Sequence, residues 1–388
     1  MPKKKVNVAI VGGSFMGKAH SNAWRKVGMF FDPPVEVNMK VLCDKDPEML
    51  ANAQRYGWEE TSEDFKEVCA RDDIDIVDIC TPNALHPPIA LEAAKNGKHI
   101  VCEKPLANTV KEAEEMLQAA KKAGVKHMCG FSYRFAPAVQ SIKKLVSSGK
   151  LGDIWHWRAA YQQDFIADPD FPMIWRLKKK QAGAGALGDI GAHITDLCHF
   201  LVGDVAEVTS ALETFIKKRV IPESDTGAWG AKAGKGKKKK YGQVDVDDAA
   251  VFIGRIKGAN TLASFEATRF APGRRNYNSI EIYGSKGSVL WNQEDMNVFQ
   301  YFNREDPEGL QGFRTVQACD PGHPYTAAWW PPGHIIGYEH LFVHEMYEFL
   351  SGLKRKKINY PTFADAVKCQ KVLETVEKAA RTRKWEKV

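Results

Sequence analysis

The chain has 388 residues, 44% hydrophobic and 27% charged, a balance typical of a globular protein rather than a disordered one. Its length predicts two domains. The net charge of +7 does not indicate a nucleic-acid partner, because the segment from Lys232 to Lys240 holds six lysines and leaves about +1 for the rest of the chain.

Eight cysteines occur without any CxxC pair, and several lie in apolar, strand-like runs. They predict reduced, buried thiols rather than a disulfide framework or a zinc site. No stretch approaches the ~18 apolar residues of a membrane helix, and the apolar run after the basic start is too short for a signal peptide. We therefore expect a cytoplasmic protein with no metal site and no membrane or nucleic-acid partner.

The first third of the chain alternates short apolar segments with amphipathic ones. The apolar segments predict five strands, near Val6, Val37, Ile74, Lys98 and Val125. The amphipathic segments PPIALEAAKNG and TVKEAEEMLQAAKKAG predict helices, each closed by the glycine typical of a helix end. This alternation indicates a parallel, doubly wound sheet, so we predict an α/β fold with a Rossmann domain over residues 1–128.

Residues 129–388 have a different pattern of predicted secondary structure. Strand-like runs such as DIWHWRAAYQQ, DAAVFIGRI and NTLASFEATRF occur in a part of the chain with few helical segments, which indicates an α+β domain with an open, mostly antiparallel sheet. Two helices are predicted to close the chain, from about Glu339 and from about Phe363. Residues 217–243 are rich in Gly, Lys and Pro, and we interpret them as a flexible insertion loop.

The segment AIVGGSFMGKAH carries an imperfect GxGxxG fingerprint after a predicted strand. Gly12 and Gly17 occupy its outer positions, whereas Ser14 stands at the middle one with Gly13 beside it. A tight turn and a closely packed helix would direct backbone amides at a pyrophosphate. The predicted cofactor contacts in this segment are Gly12, Gly13, Ser14, Phe15, Met16 and Gly17.

Asp44 ends the next predicted strand, further downstream than the usual ~20 residues because GMFFDPPVEV lengthens the connection. A carboxylate there accepts hydrogen bonds from both adenosine ribose hydroxyls and repels a 2′-phosphate, which favours NAD over NADP. Lys45 alongside partly offsets that repulsion. The alternative is that Asp44 is only a turn residue before DPEML.

Two further motifs suit the oxidation of an alcohol. The reaction needs a base for the hydroxyl proton, and neutral histidine serves near pH 7. Asp189 and His193 in GDIGAH are four residues apart, on one face of a predicted helix, so Asp189 could fix the imidazole tautomer, stabilise the imidazolium or bind a substrate hydroxyl. Lys104 in CEKP follows a strand at the carboxyl end of the sheet, where an ammonium can stabilise a developing alkoxide.

The order of AIVGGSFMGKAH, TPNALHPPIA, CEKPLA, FSYRFAPA and GDIGAH resembles the Gfo/Idh/MocA oxidoreductases over nearly the whole chain. The resemblance implies an N-terminal Rossmann domain and a C-terminal domain whose open sheet face forms homodimer or homotetramer contacts. It places the catalytic residues at Lys104, Asp189 and His193. It places these residues beside the nicotinamide: Thr81, Pro82, Asn83, His86 and Glu103.

Within that family, segments such as GALGDIGAH and EATRFAPGRRNY look most like the branch of levoglucosan and glucoside 3-dehydrogenases. That likeness implies a sugar pocket built from Tyr133, Arg134, Tyr161, Gln163, Asp164, Trp175 and Arg176. Aromatic rings and hydrogen-bonding side chains match a pyranose, whose faces are apolar and whose rim is hydroxylated.

We therefore expect an NAD-dependent dehydrogenase that oxidises a secondary hydroxyl, at carbon 3, of a sugar, anhydrosugar or glycoside to a keto sugar. Three alternatives stay open at this point. The first is inositol 2-dehydrogenase, and the second is a redox-neutral NAD-dependent glycosidase that oxidises carbon 3 transiently. The third is a nucleotide-sensing protein without a reaction, which retention of Lys104, Asp189 and His193 argues against.

Overall fold

The computed structural model describes residues 3–222 and 239–388. Contacts divide the chain into two compact units, Met1–Phe135 with Ile336–Val367, and Ala136–Ile335 with Lys368–Val388. The sequence division at 128/129 differs from this, because Ile336–Val367 packs with the first unit rather than with the residues that precede it. No helix of the described residues is both long and apolar enough to cross a membrane.

The first unit contains a six-stranded sheet in which every neighbouring pair is parallel. Its strands are β1 (Lys4–Val11), β2 (Val35–Cys43), β3 (Glu60–Ser62), β4 (Ile76–Ile79), β5 (His99–Cys102) and β6 (His127–Cys129). The order β3-β2-β1-β4-β5-β6 is that of the Rossmann fold and confirms the prediction. All five predicted strands are present, and the short β3 is an addition.

Helices of the first unit connect these strands. They are α1 (Phe15–Phe30), α2 (Pro47–Ala51), α3 (Ala53–Tyr56), α4 (Phe65–Ala70), α5 (His86–Lys95) and α6 (Val110–Ala123). Both predicted glycine ends are found, with Gly97 and Gly124 at φ of 69° and 67°. The helix α6 begins with a capping box between Thr109 and Glu112.

The second unit contains a nine-stranded sheet of order β16-β15-β14-β13-β7-β12-β11-β8-β17. The strands of this unit are β7 (Ile154–Gln162), β8 (Val205–Glu213), β9 (Lys218–Val220), β10 (Tyr241–Gln243), β11 (Ala249–Ile256), β12 (Leu262–Thr268), β13 (Tyr277–Gly284), β14 (Gly287–Asn292), β15 (Val298–Asn303), β16 (Arg314–Gln317) and β17 (Glu386–Lys387). Only the pair β7–β12 is parallel, so the prediction of an open, mostly antiparallel sheet is confirmed.

Strands β9 and β10 pair antiparallel and stand at the two ends of the predicted insertion loop 217–243. Both ends are therefore strands rather than loop. The guanidinium of Arg219 anchors them, because it is buried and donates to the backbone carbonyls of Asp168 and Phe171. The middle of the predicted loop, with Lys232 and most of the lysine run, lies outside the described residues.

The remaining helices are α7 (Pro137–Ser147), α8 (Lys179–Ala182), α9 (Ala192–Leu201), α10 (Tyr338–Gly352) and α11 (Phe363–Thr382). The last two confirm the pair predicted to close the chain. Helix α10 packs against α1 within the first unit. All eight cysteines are buried and free, as their apolar surroundings predicted.

Candidate active site

The glycine turn lies between β1 and α1, at the carboxyl end of the central strand. Gly12 has a φ of +100°, and a Cβ there would lie 2.7 Å from the carbonyl oxygen of Cys80. A Cβ on Gly17 would overlap the carbonyl oxygen of Gly12. Only glycine fits at both positions, and the first turn of α1 contains no acidic residue that would repel a phosphate. The turn is therefore shaped to receive a pyrophosphate despite Ser14.

Asp44 follows β2 and bonds back to the glycine turn. One carboxylate oxygen accepts the N–H of Gly13 at 2.7 Å, and the other accepts the N–H of Asp46 at 3.0 Å. Each oxygen has two lone-pair directions, so both retain capacity for a further donor. Asp44 is thus a turn-forming residue and a candidate ribose acceptor at once.

The turn after β4 holds Thr81 and its neighbours. A 3₁₀ turn covers Asn83–Leu85, and α5 starts at His86. The side-chain oxygen of Thr81 is buried without a hydrogen-bond partner among the described residues, which is a polar atom that a bound cofactor would satisfy. Pro82 precedes this turn, and Asn83 is buried within it.

His86 is wholly buried and joins two turns through their backbones. Its Nε2 lies 2.9 Å from the carbonyl oxygen of Thr81, and its Nδ1 lies 3.0 Å from that of Pro105. Burial lowers the pKa of His86 below its usual value, and a neutral ring can donate its single N–H to one of these two carbonyl oxygens. Both nitrogens thus face backbone groups, and a direct contact between His86 and the cofactor stays a prediction.

Glu103 and Lys104 follow β5, the strand beside β4. The carboxylate of Glu103 is almost fully buried, and it accepts the backbone N–H of Lys104 at 3.2 Å. Its other oxygen lies 3.0 Å from Nε2 of His20 on α1. His20 was missed in the sequence although it is the last residue of AIVGGSFMGKAH, because the glycine fingerprint itself ends at Gly17.

In the second unit, Asp189 lies in a π-helical turn over Leu187–Gly191, and His193 lies in α9 directly after it. The prediction placed both residues on one regular helix. Instead Asp189 lies in the wider π turn, and the buried carboxylate of Asp247 accepts the N–H groups of Gly185 and Leu187 at the start of that turn, each at 2.7 Å. Such π turns occur often at functional sites.

Two arginines flank Asp189. Its Oδ2 lies 3.7 Å from Nε of Arg176 and 3.6 Å from Nη1 of Arg269. Arg269 has no exposed surface, and its Nε and Nη1 have no hydrogen-bond partner among the described residues. The pair of guanidiniums stabilises the ionised carboxylate of Asp189. Arg269 lies in EATRFAPGRRNY, a segment that carries the likeness to the levoglucosan branch, but the sequence assigned no role to it.

Tyr161 ends β7, and its ring centroid lies 5.8 Å from that of His193. Its hydroxyl donates to Oδ1 of Asn276 at 2.7 Å, and the side-chain amide of Gln163 donates to the same oxygen at 2.8 Å. The structure therefore brings two predicted sugar-pocket residues together around Asn276, which the sequence did not indicate. Tyr161 is buried, so its rotamer is held by this hydrogen bond and by packing.

Asp164 and Trp175 each pair with an arginine in the same unit. Asp164 lies 3.1 Å from Nη1 of Arg275 and accepts the N–H of Gly273. The guanidinium of Arg176 lies 4.3 Å from the ring centre of Trp175, a cation–π distance. Through Arg176, Trp175 is joined to the Asp189 cluster.

Tyr133 and Arg134 belong to the first unit, in a 3₁₀ turn over Ser132–Phe135. Both are buried. The ring of Tyr133 packs 6.5 Å from that of Tyr338, and Nη2 of Arg134 lies 3.7 Å from a carboxylate oxygen of Asp365. Their predicted contacts with a sugar stay predictions.

One group of side chains in the described residues has the spacing of metal ligands, namely His20, Asp78 and Cys80 in the first unit. Both ring nitrogens of His20 face carboxylate oxygens at 2.9–3.0 Å, those of Asp78 and Glu103. This is the pattern of a protonated ring that donates twice, and such a ring has no lone pair for a metal.

Comparison with known proteins identifies the family of this chain. Residues 6–131 match the oxidoreductase family with an NAD-binding Rossmann fold, and residues 139–290 match the GFO/IDH/MocA C-terminal domain. The chain is 40% identical to levoglucosan dehydrogenase of Pseudarthrobacter phenanthrenivorans over 98% of both chains. The crystal structure of an oxidoreductase domain protein from Kribbella flavida has a TM-score of 0.92 at 46% identity over 99% of both chains.

A solved levoglucosan dehydrogenase in complex with NADH and levoglucosan also has a TM-score of 0.92, at 38% identity over 99% of this chain and all of that one. The fold and the matches define the protein as an oxidoreductase that uses NAD. The chain belongs to the Gfo/Idh/MocA family, within which it is similar to sugar dehydrogenases.

Proposed function

We propose that the protein oxidises the carbon-3 hydroxyl of a pyranose, an anhydrosugar or a glycoside to a ketone. The observation that carries this proposal is the cluster around Asp189 and His193. There a histidine follows a carboxylate that lies within ion-pair distance of Arg176 and Arg269, and the buried Nε and Nη1 of Arg269 make no hydrogen bond within the described residues. Buried donors are costly unless a ligand oxygen meets them, and a sugar supplies several.

Three residues of the chain take part in the proposed reaction. His193 accepts the hydroxyl proton, and Asp189 stabilises the imidazolium that results. Lys104 donates a hydrogen bond to the substrate oxygen, which carries partial negative charge as the C–H bond breaks. Bound NAD supplies the acceptor for the hydride. One C–H and one O–H bond break, two electrons leave with the hydride, and the proton stays on His193.

The first unit supplies the residues that hold NAD. Gly12 and Gly17 leave space where a Cβ would clash, which allows close approach of a pyrophosphate. Asp44 retains lone pairs that can accept the ribose hydroxyls, and the buried side-chain oxygen of Thr81 can form a hydrogen bond with the cofactor. The carboxylate of Asp44 favours NAD over NADP because it would repel a 2′-phosphate, a repulsion that Lys45 beside it offsets in part.

An anhydrosugar is the first substrate to test, because a relative that matches nearly the whole chain is a levoglucosan dehydrogenase. The test mixes NAD and purified protein with levoglucosan, methyl glucosides, glucose or myo-inositol, and follows the near-ultraviolet absorbance of NADH. Fastest turnover with levoglucosan or a glucoside supports the proposal. Fastest turnover with myo-inositol would instead assign an inositol dehydrogenase.

The position of oxidation has its own measurement. Levoglucosan deuterated only at carbon 3 transfers its label to the reduced cofactor if that carbon reacts, and mass spectrometry detects the added mass. Deuterium at carbon 2 or carbon 4 is the matched control. Label from either of those positions contradicts oxidation at carbon 3. Release of an aglycone without net NADH would identify the redox-neutral glycosidase.

We also propose that the open face of the nine-stranded sheet joins copies of this chain into a homodimer or homotetramer. Val251 and Ile253 on β11 are 53% and 38% exposed, and Leu262 on the neighbouring β12 is 39% exposed. The three side chains lie on one face of paired strands. Light scattering with Val251→Lys/Ile253→Lys should show smaller particles than the wild type, whereas an unchanged mass contradicts this face as the interface.

The eight free cysteines suit a reducing, cytoplasmic location.

A further inference from the structure

A buried cluster in the first unit is centred on His20, which has no exposed surface. Its Nδ1 lies 2.9 and 3.0 Å from the two carboxylate oxygens of Asp78, and its Nε2 lies 3.0 Å from Oε1 of Glu103. A neutral imidazole has a single N–H, so only the imidazolium can donate to both carboxylates. The geometry therefore requires a protonated histidine.

The surroundings of His20 stabilise that charge. Burial by itself lowers the pKa of His20, but the charge and hydrogen bond of Asp78, with a contribution from Cys80, raise the pKa well above its usual value. The titratable groups that face His20 are Asp78, Cys80, Glu103 and Tyr338. Burial raises the pKa of the Cys80 thiol and of the Tyr338 hydroxyl, so both are neutral at pH 7.

Both carboxylates of the cluster are fixed by further contacts. Trp24 donates its indole N–H to Asp78 at 2.7 Å. Glu103 accepts the backbone N–H of Lys104 through Oε2, and a Cβ on Gly130 would lie only 2.7 Å from its Oε1. The carboxylate of Glu103 is thus confined by a charge on one side and by backbone on two others. Losing the charge leaves a buried carboxylate that must move or take up a proton.

We propose that His20 is a positioning residue whose imidazolium links the helix after the glycine turn to Glu103 and, through Glu103, sets the turn that presents Lys104. The inference rests on the proposed role of Lys104 in the reaction. It connects three elements of the first unit, namely α1, β4 and the turn after β5. A shift of about 1 Å in a group that contacts the reacting oxygen costs up to ~10²-fold in rate.

The decisive experiment is a double-mutant cycle between His20→Gln and Lys104→Met. His20→Gln should lower kcat by about 10- to 100-fold with little change in the KM for sugar. In the Lys104→Met background the same substitution should cost less than about twofold, because the group that it positions is gone. Equal costs in the two backgrounds, or an unchanged kcat in His20→Gln, would overturn the proposal.

His344→Gln is the matched control. His344 is also a wholly buried histidine of the first unit, but its Nδ1 bonds to the carbonyl oxygen of Phe135 at 2.9 Å and meets no carboxylate. Burial lowers the pKa of His344 to about 3, so it is neutral. Its substitution should affect thermal stability as His20→Gln does, and should affect kcat by the same factor with and without Lys104.

Two measurements do not depend on turnover. In wild-type protein labelled with ¹⁵N-histidine, His20 should show protons on both ring nitrogens at pH 7. A single ring N–H, or a stoichiometric metal found by elemental analysis, overturns the proposal even if His20→Gln does not fold. Reductive methylation with ¹³C labels Lys104, whose methyl resonance should move in His20→Gln and not in His344→Gln. If no sugar is oxidised, the proposed function fails while these two results still test His20.

Discussion

The ion pairs of Asp189 give the most quantitative prediction. Each guanidinium lies 3.6–3.7 Å from Oδ2, and at an effective dielectric constant near 20 each attraction is about 4 kcal/mol before desolvation is subtracted. Loss of a partner from a fully buried pair costs about 3–5 kcal/mol. The side chain of Asp189 is 20% exposed, and asparagine keeps a carbonyl acceptor. We therefore expect Asp189→Asn to reduce the free energy of unfolding by about 1–3 kcal/mol.

In a thermal scan this loss corresponds to a fall in Tm of roughly 2–12 °C, from about 2–4 °C per kcal/mol for a domain of this size. Turnover should fall by ~10²-fold or more, because the carboxylate no longer stabilises the imidazolium of His193. Asp204→Asn is the control, since Asp204 pairs with the exposed Lys368 at 2.8 Å in the same unit, away from the open sheet face. A wild-type Tm and wild-type turnover in Asp189→Asn would refute the reasoning.

Four further outcomes are expected. His193→Ala should lower turnover by ~10²–10⁴-fold while the Kd of NADH, measured by fluorescence, stays unchanged; wild-type turnover would remove histidine as the base. Asp44→Ser should weaken NAD binding by about 10- to 100-fold, because the hydrogen bonds of the carboxylate with the ribose and the backbone are lost. The ratio of the affinity for NAD to that for NADP should also fall, and calorimetry with both cofactors measures it. Gly17→Ala should abolish NADH binding, whereas Gly28→Ala in the same helix, where a Cβ meets nothing within 4 Å, should bind normally and unfold at a slightly higher temperature; equal affinities would contradict the steric argument. Because the folded pKa of His20 is raised, its stabilisation is full below about pH 6.5 and is lost as pH rises through that elevated pKa, so the Tm of the wild type should fall more steeply above pH 7 than that of His20→Gln.

The predicted and observed sites differ in a regular way. Residues carried by a local motif lie where the motif placed them, with the glycine turn between β1 and α1 and Lys104 in the turn after β5. Residues that act through distant partners were not found. Arg269 follows β12 but forms an ion pair with Asp189, 80 positions earlier in the chain. Asn276 accepts a hydrogen bond from Tyr161, 115 positions away. Local composition predicts neither of these two contacts.

The sequence by itself determined the two-part organisation, the parallel and antiparallel sheets and the order of the motifs. It could do so because strand and helix periodicity, glycine turns and helix ends are local properties of the chain. The sequence did not predict the π turn at Asp189, at the start of which two backbone N–H groups donate to the carboxylate of Asp247, about 60 residues away.

Only the tertiary structure decided which buried charges meet. His20 faces Asp78 and Glu103 across separations of 58 and 83 residues, and Ile336–Val367 returns to the first unit from the far end of the chain. The parallel pairing of β7 with β12 likewise joins strands that are about 100 residues apart. The physical reason is that an ion pair or a strand register is specified by what packs against it in space, and periodicity along the chain carries no information about that partner.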